Sequence, residues 1–280
     1  MSLDHYGAEA PPAGLYQYRD QITTGIDGFG AVTDADIEAF HALGFMVIHK
    51  AIDGAGIESA RGSLRDLILR RDADNIMFES AVGPGFADLP DEERLDSVRK
   101  MMPIIPFDRR LKAAAEKPEL LALIERIMGE APALSQDMAL LKPPRIGREK
   151  PWHQDMAYFD FPADATVVGA WIALDEALPE NGCMMVIPGS HHSGPTLHWT
   201  RRDWQICDTD VQVGRSLAIP LPPGGCLLFH CLLHHGTPPS RSNRRRWALQ
   251  FHYRPHSLKP LPNSNYRMSV FGADGKDASC

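Results

Sequence analysis

The feature that most constrains the fold is a change of pattern near residue 131. Before it, apolar residues recur at helical spacing, whereas short apolar runs separated by turn signals follow it, up to about residue 256. Helices first and strands later are typical of an α+β protein, or of a β-barrel with a helical flank. The chain has 280 residues, which is long for one domain and short for two. We therefore expect one domain over 1–280: a mostly helical flank with an arm (1–130), a β core (131–256) and a tail (257–280).

Helix signals are clear in the first part. Thr33 and Asp36 fit a capping box, apolar residues follow at helical spacing, and Gly44 is a good stop. The glycine- and proline-rich first thirty residues look instead like an arm on the surface. Helical periodicity also predicts helices over 54–71 and 118–129.

Strand signals dominate the second part. Turn sequences such as Glu180-Asn181-Gly182 and Pro222-Pro223-Gly224-Gly225 separate the apolar runs. The last run alternates, so that Arg246, Ala248, Gln250 and His252 share a small and polar face. The predicted strands are 45–48, 167–174, 184–187, 216–219, 226–232 and 247–253.

Charge and cysteine content exclude several classes. Lys and Arg number 29 and Asp and Glu 36, and the net charge of −7 argues against a general nucleic-acid binder and against an anionic-membrane binder. The five cysteines form no CxxC pair, so neither a disulfide scaffold nor a thiolate zinc site is expected. Without a leader-like start or a long apolar run, we expect a cytoplasmic protein. Monomer and homodimer both stay open.

The best local signal for chemistry is His153-Gln154-Asp155. In an extended strand, residues i and i+2 point to the same face, so the imidazole and the carboxylate could bind one ion. Because His-x-Asp also arises by chance, a third ligand is needed, and His230, His234 and His235 are the candidates. Two histidines and one carboxylate leave three positions open on a metal, as in non-haem Fe(II) oxygen chemistry.

An arginine cluster precedes the last predicted strand. Arg246 begins the polar face of that strand, where it could hold a carboxylate through two charge-assisted hydrogen bonds. The alternative is a solvated turn.

Taken in order, these residues resemble the phytanoyl-CoA dioxygenase family, Fe(II)- and 2-oxoglutarate-dependent oxygenases with a double-stranded β-helix (jelly-roll, cupin-like) core. The resemblance covers residues 138–254 and implies a mainly β, α+β fold with a helical flank. The segments that carry it are Leu141-Lys142-Pro143-Pro144, 151–155, Tyr158-Phe159, 170–175, 181–191 and His235-Gly236-Thr237, with Arg246 eleven residues after His235.

The resemblance implies a role for each matching residue. His153, Asp155 and His235 match the iron ligands, and Arg246 and Thr237 match the residues that hold the far carboxylate of 2-oxoglutarate. Trp171 and Met138 match residues that line the co-substrate pocket, with core packing as the alternative. Related halogenases have Gly or Ala in place of the carboxylate ligand, so Asp155 favours hydroxylation.

The implied cofactors are Fe(II), 2-oxoglutarate and O2, with ascorbate as a candidate stimulant. The implied reaction hydroxylates a C–H bond of a small molecule and releases succinate and CO2. Residues 75–112 and 191–215 are the expected walls of the substrate site. The Arg and Trp residues of 191–215 would suit an anionic or aromatic substrate, or simply belong to a surface loop.

Two other classes remain open. A zinc-dependent hydrolase or lyase could use the same three ligands, but would have no need for Arg246. A non-catalytic jelly-roll binding protein would not require the three ligands to converge.

Overall fold

The computed structural model describes residues 1–6, 9–70, 74–262, 265–272 and 280. Its described part contains six α-helices: α1 Asp34–Leu43, α2 Gly54–Leu69, α3 Asp91–Leu95, α4 Arg109–Ala115, α5 Pro118–Met128 and α6 Tyr266–Phe271. None of these helices is long and apolar enough to cross a membrane.

Fifteen strands lie in the same described residues. They are β1 Ser2–Leu3, β2 Ile26–Asp27, β3 Phe45–His49, β4 Ile76–Phe78, β5 Val98–Met101, β6 Pro132–Lys142, β7 Lys150–His153, β8 Val168–Ala173, β9 Met184–Val186, β10 His198–Thr200, β11 Trp204–Ile206, β12 Leu217–Ile219, β13 Cys226–His230, β14 His235–Thr237 and β15 Arg246–Pro255.

The strands form two main sheets that pack face to face. The larger has nine strands in the order β1-β4-β5-β6-β15-β8-β13-β3-β2, and the smaller has the order β12-β9-β14-β7. Trp171, Leu227 and Phe229 of the larger sheet pack with Met184 and Ile219 of the smaller one in a buried cluster between the sheets. Strands β10 and β11 form a separate hairpin. Two facing, largely antiparallel sheets are the jelly-roll arrangement that was expected.

The helical flank covers the outer face of the larger sheet. Leu64 of α2 and Ile124 of α5 are buried in one cluster with Leu249 and Phe251 of β15. Strand β15 is therefore buried on both faces: its odd-numbered residues pack under the helices, and Ala248 packs between the sheets. The predicted alternation of this strand is confirmed.

The local helix signals are also confirmed. Thr33 and Asp36 form a capping box at α1, and Gly44 ends that helix with a left-handed φ of 82°. Helix α2 lies within the predicted segment 54–71, of which residue 71 is outside the described residues, and α5 ends before Gly129.

The flank contains more strands than predicted. Five short strands precede residue 131 and extend the larger sheet at both edges; β3 confirms the strand predicted at 45–48, whereas the other four were not predicted. The first thirty residues are not simply a surface arm, since Asp4 and Leu15 are buried. In the tail, Phe271 of α6 is buried, while 263–264 and 273–279 lie outside the described residues.

One irregularity lies in the smaller sheet. His235 of β14 pairs with His153 of β7, but Thr237 pairs with Lys150, so β7 has one residue more than β14 over this stretch. Such a bulge changes the direction of the side chains on either side of it.

Candidate active site

Two histidines face each other on adjacent strands of the smaller sheet. His153 and His235 are a register pair, and their ring centroids lie 4.2 Å apart. His153 Nδ1 lies 2.7 Å from the carbonyl oxygen of Pro151, and His235 Nδ1 lies 2.9 Å from that of Leu233. A carbonyl oxygen only accepts, so both Nδ1 atoms carry the proton. This tautomer leaves Nε2 as the nitrogen that a neutral imidazole offers to a metal.

Asp155 completes the group. Its Oδ1 lies 3.1 Å from His153 Nε2, and its Oδ2 lies 3.6 Å from His235 Nε2. The predicted convergence of His153 and Asp155 is therefore observed, although the expected extended strand is wrong in detail. Strand β7 ends at His153, and Asp155 begins a 3-10 turn over Asp155–Tyr158.

Gln154, which lies between His153 and Asp155, holds the backbone of this turn in place. Gln154 is fully buried, and its backbone N–H donates to His198 Nε2 at 3.0 Å. Its side-chain amide donates to the carbonyl oxygens of Gly194 and Leu232. Gln154 thus attaches the turn to the segment before β10 and to the chain that leads into β14.

Two side chains of β15 hold Asp155 from the opposite side. Gln250 Nε2 lies 2.9 Å from Asp155 Oδ2, and His252 Nε2 lies 2.7 Å from the same oxygen. Both donate to Oδ2, which leaves Oδ1 on the side of His153. The rings of Phe159 and Phe229 pack edge-on against His252. Strand alternation placed both residues on the polar face, but gave no reason to connect them with Asp155.

The electrostatics suit a metal site. Burial, with a contribution from His235, lowers the pKa of His153 to about 4, so its ring is neutral at pH 7. Burial alone would raise the pKa of Asp155, but His235 and His252 outweigh it and hold that pKa well below its usual range. His153, Asp155 and His235 thus offer two imidazoles and a carboxylate whose ligand atoms lie within 4.8 Å of one another.

The other candidate histidines lie elsewhere. His234 Nε2 is 3.0 Å from Thr196 Oγ1, and its backbone N–H donates to Ser190 Oγ. The His230 ring packs against His191, and its Nδ1 accepts from the backbone of Leu232. The structure therefore brings His235 to His153 and Asp155, as the family resemblance implied. His230 and His234 lie outside this group.

A buried arginine stands at the start of β15. The Arg246 guanidinium lies over the Trp171 ring at 5.1 Å, and Nη1 donates to the carbonyl oxygen of Leu140. Its Nε is buried and has no hydrogen-bond partner. Burial lowers the pKa of Arg246 to about 10, so it is charged at neutral pH. A buried cation with an unsatisfied N–H is suited to hold an anion.

One cavity of about 310 Å³ connects these groups. All seven residues that sequence analysis selected line it: His153, Asp155, His235, Arg246, Thr237, Trp171 and Met138. Sequence analysis placed Gln250 and His252 on the polar face of the last strand without giving them a role, and it gave no role to Lys100 or Lys142. Lys100, Lys142 and Gln250 line the cavity, and His252 lies behind Asp155. Lys142 stood in the sequence as part of the Lys-Pro-Pro segment, which was the available signal.

The expected walls contribute unequally. The segment 75–112 contributes four residues to the cavity lining: Met77, Arg99, Lys100 and Met102. The segment 191–215 contributes Asp203. Arg202 is fully buried and paired with Glu149 and Asp208, so it is not available to a substrate. One of the arginines of 191–215 that were expected to suit an anionic substrate is therefore structural.

Comparison with known proteins gives the family. The family model for phytanoyl-CoA dioxygenase (PhyH) matches residues 40–248. A zebrafish (Danio rerio) protein, phytanoyl-CoA dioxygenase domain-containing protein 1, is 29% identical over 143 residues, which are 50% of this chain and 48% of that protein. The human peroxisomal phytanoyl-CoA dioxygenase is 27% identical over 162 residues, 55% of this chain and 46% of that protein. The chain thus spans about half the length of these curated relatives.

Solved structures agree on the fold. The epimerase SnoN, in complex with Fe3+, alpha ketoglutarate and nogalamycin RO, matches with a TM-score of 0.67 at 19% identity, over 87% of this chain and 91% of that one. EvdO2 from Micromonospora carbonacea, complexed with 2-oxoglutarate, matches with a TM-score of 0.65 at 22% identity, over 86% and 97%. With the family model covering well over half of the sequence, the chain belongs to the phytanoyl-CoA dioxygenase family.

Proposed function

We propose that this protein is an Fe(II)- and 2-oxoglutarate-dependent dioxygenase that hydroxylates a C–H bond of a small molecule and releases succinate and CO2. One observation carries the proposal. Two imidazoles and a carboxylate converge in a cavity that also contains a buried arginine with an unsatisfied N–H. The first group suits a metal and the second suits the far carboxylate of a 2-oxoacid.

The donor set fits a ferrous ion. His153, Asp155 and His235 would be its three protein ligands, and they leave positions open for the co-substrate and for dioxygen. When bound, iron and 2-oxoglutarate supply the oxidising chemistry that the side chains lack. The residues of the chain bind, orient and shield the reactants. Asp155 itself is oriented by Gln250 and His252, which both donate to Oδ2.

The other end of the cavity would hold the co-substrate. Arg246 would bind its far carboxylate with the N–H groups that it does not use in the protein, assisted by the hydroxyl of Thr237. The Trp171 ring, under the guanidinium, fixes the plane of Arg246. Met138 and Trp171 would exclude water from the bound 2-oxoacid, which strengthens the charge interactions there. On this proposal, residues 131–256 are the catalytic core of one domain that spans 1–280.

The outer part of the cavity would take the substrate. Arg99 and Lys150 are engaged by carboxylates, at 2.9 Å from Asp4 and 2.8 Å from Asp203 respectively. The Lys100 side chain lines the same space and, within the described part of the chain, its ammonium has neither an ion pair nor a hydrogen bond. Its charge is available to a carboxylate of the co-substrate or to an anionic group of the substrate. Met77 and Met102 provide apolar surface beside it.

The carboxylate ligand supports hydroxylation as the outcome. Asp155 occupies the position at which a halogenase would admit chloride, so transfer of an oxygen atom is favoured. SnoN is described as an epimerase, so the fold is also used for reactions of another kind. Product analysis distinguishes them: hydroxylation adds one oxygen atom to the substrate, cyclisation removes two hydrogens, and epimerisation leaves the mass unchanged.

The test is an anaerobic titration of the metal-free protein with Fe(II) and then 2-oxoglutarate, followed through the visible charge-transfer band of the chelate. We expect a band that needs both components, and succinate when oxygen is admitted. Asp155→Ala should abolish succinate formation, whereas Asp164→Ala, at an exposed position, should not. If no band forms and zinc binds tightly instead, the zinc-enzyme alternative replaces the oxygenase. Undiminished succinate formation by Asp155→Ala would refute the ligand assignment.

A further inference from the structure

We propose that Lys142 is a positioning residue for the co-substrate: it holds the Thr237 hydroxyl so that its hydrogen points into the cavity, and it adds a second positive charge beside Arg246. The inference rests on the proposed function, because the expected ligand is the far carboxylate of 2-oxoglutarate. It concerns the last residue of β6, which sequence analysis used only as part of a motif.

The Lys142 ammonium is fully engaged in a fixed place. Its Nζ lies 2.6 Å from the carbonyl oxygen of Pro238, 3.0 Å from that of Arg148 and 3.0 Å from Thr237 Oγ1. An ammonium group has three N–H bonds, and here it meets three acceptors. In the charged form, each of the three N–H bonds has an acceptor, and a carboxylate bound beside the group would favour that form.

The hydroxyl of Thr237 then has one free direction. Its oxygen accepts from Lys142 Nζ at 3.0 Å and from the backbone N–H of Lys150 at 3.3 Å. A hydroxyl has two lone pairs and one hydrogen, so both lone pairs are used. The hydrogen must therefore be donated to something else, and Thr237 lines the cavity beside Arg246. The hydroxyl is thus set as a donor, which is what a carboxylate needs.

Two cations meet at this place. Arg246 and Lys142 stand directly opposite each other on β15 and β6, and they are 3% and 4% exposed. Like charges at opposite positions of a sheet repel each other. No carboxylate of the described residues lies within ion-pair distance of either. Burial and the neighbouring Arg246 lower the pKa of the Lys142 amine well below its usual range, so an anion bound there would relieve both groups.

The chain also makes room for this lysine. A Cβ atom at Gly147 would come within 2.4 Å of Lys142 Cγ, and one at Gly182 within 2.5 Å of Lys142 Cδ. The aliphatic stem therefore runs between two glycines, one of which belongs to the predicted Asn181-Gly182 turn.

The experiment measures the dissociation constants of Fe(II) and of 2-oxoglutarate for the intact protein under anaerobic conditions. The variants are Lys142→Met, Thr237→Val, Thr237→Ser and the double variant of the first two, with Lys112→Met, at an exposed position on α4, as the control. We expect Lys142→Met to weaken 2-oxoglutarate binding by about tenfold to a hundredfold, as for loss of a charge-assisted interaction, with Fe(II) affinity nearly unchanged. Thr237→Ser keeps the hydroxyl and should bind 2-oxoglutarate more tightly than Thr237→Val.

The double variant tests the route of the effect. If Lys142 acts through Thr237, the double variant should bind 2-oxoglutarate no more weakly than Lys142→Met alone. Full addition of the two effects would overturn the inference. Wild-type affinity of Lys142→Met for 2-oxoglutarate would also overturn it. A parallel loss of Fe(II) affinity and thermal stability in Lys142→Met would overturn it as well, because it would indicate a merely structural role. If the wild type itself fails to bind 2-oxoglutarate, the proposed function fails as well, and the two failures are told apart by that control.

Discussion

Replacement of His252 by Phe should weaken iron binding without unfolding the site. The imidazole donates to Asp155 Oδ2 at 2.7 Å, and it is 1% exposed, so no water can take over the donation. Phenylalanine keeps a ring of similar size between Phe159 and Phe229 and removes the donor. The change therefore tests one hydrogen bond rather than a cavity.

The size of the effect follows from the partner. A hydrogen bond to a charged group contributes about 1.5–3 kcal/mol, and loss of such a contact behind a metal ligand usually costs roughly 10–100-fold in metal affinity. Gln250 still donates to the same oxygen, at 2.9 Å, so the lower half of that range is expected. His252→Gln, which retains an N–H donor, should recover part of the loss.

The assay is anaerobic Fe(II) titration of the metal-free protein, with a thermal melt of each variant. His256→Phe, the same substitution at an exposed position just beyond β15, is the matched control. An unchanged Fe(II) dissociation constant in a folded His252→Phe protein would refute the view that this hydrogen bond orients the ligand.

Three further predictions concern the anchor, the register and pH. Arg246→Leu should raise the 2-oxoglutarate concentration needed for half-maximal succinate formation by at least tenfold, since a buried charge-assisted contact is lost; an unchanged requirement would place the anchor elsewhere. His234→Ala should retain Fe(II) far better than His235→Ala in equilibrium dialysis, and the opposite order would contradict the register of β14. The thermal midpoint of the metal-free protein should fall as the pH drops from about 6.5 towards 4, because in this range several histidines bind a proton in the unfolded protein and stay neutral in the folded one. A midpoint that rises over this range would contradict the prediction. Four histidines are concerned. Burial lowers the pKa to about 3 for His198, and to about 4 for His153, His230 and His234.

Patterns that depend on near neighbours in the chain could be predicted from the sequence. The capping box at Thr33 and the alternation in β15 are observed as expected, and so is the jelly-roll core, which the family resemblance implied. The choice of His235 over His234 came from the family motif, since strand alternation alone could not make it. The match of Arg246 to a carboxylate anchor came from the same source.

Contacts across the sheets could not be predicted in this way. Lys142 and Thr237 are 95 positions apart, and Asp155 and His252 are 97 apart, so only the register of the strands brings them together. The short strands β4 and β5 were missed because segments of three or four residues carry too little periodicity. The structural role of Arg202 could not be predicted, because its partners Glu149 and Asp208 come together with it only in the folded protein.

The bulge between β7 and β14 has a consequence for what the cavity can recognise. Lys150 and His153 are three positions apart, and in a regular strand an odd separation sends two side chains to opposite faces. Here both side chains line the cavity, because the additional residue of β7 lies between them and interrupts the regular alternation of faces. A shortened β7 with a regular ladder would keep His153 in place and turn Lys150 outward, away from Asp203 and Tyr158. One additional residue thus lets a single strand direct the proposed metal ligand His153 and the charged Lys150 into the same cavity.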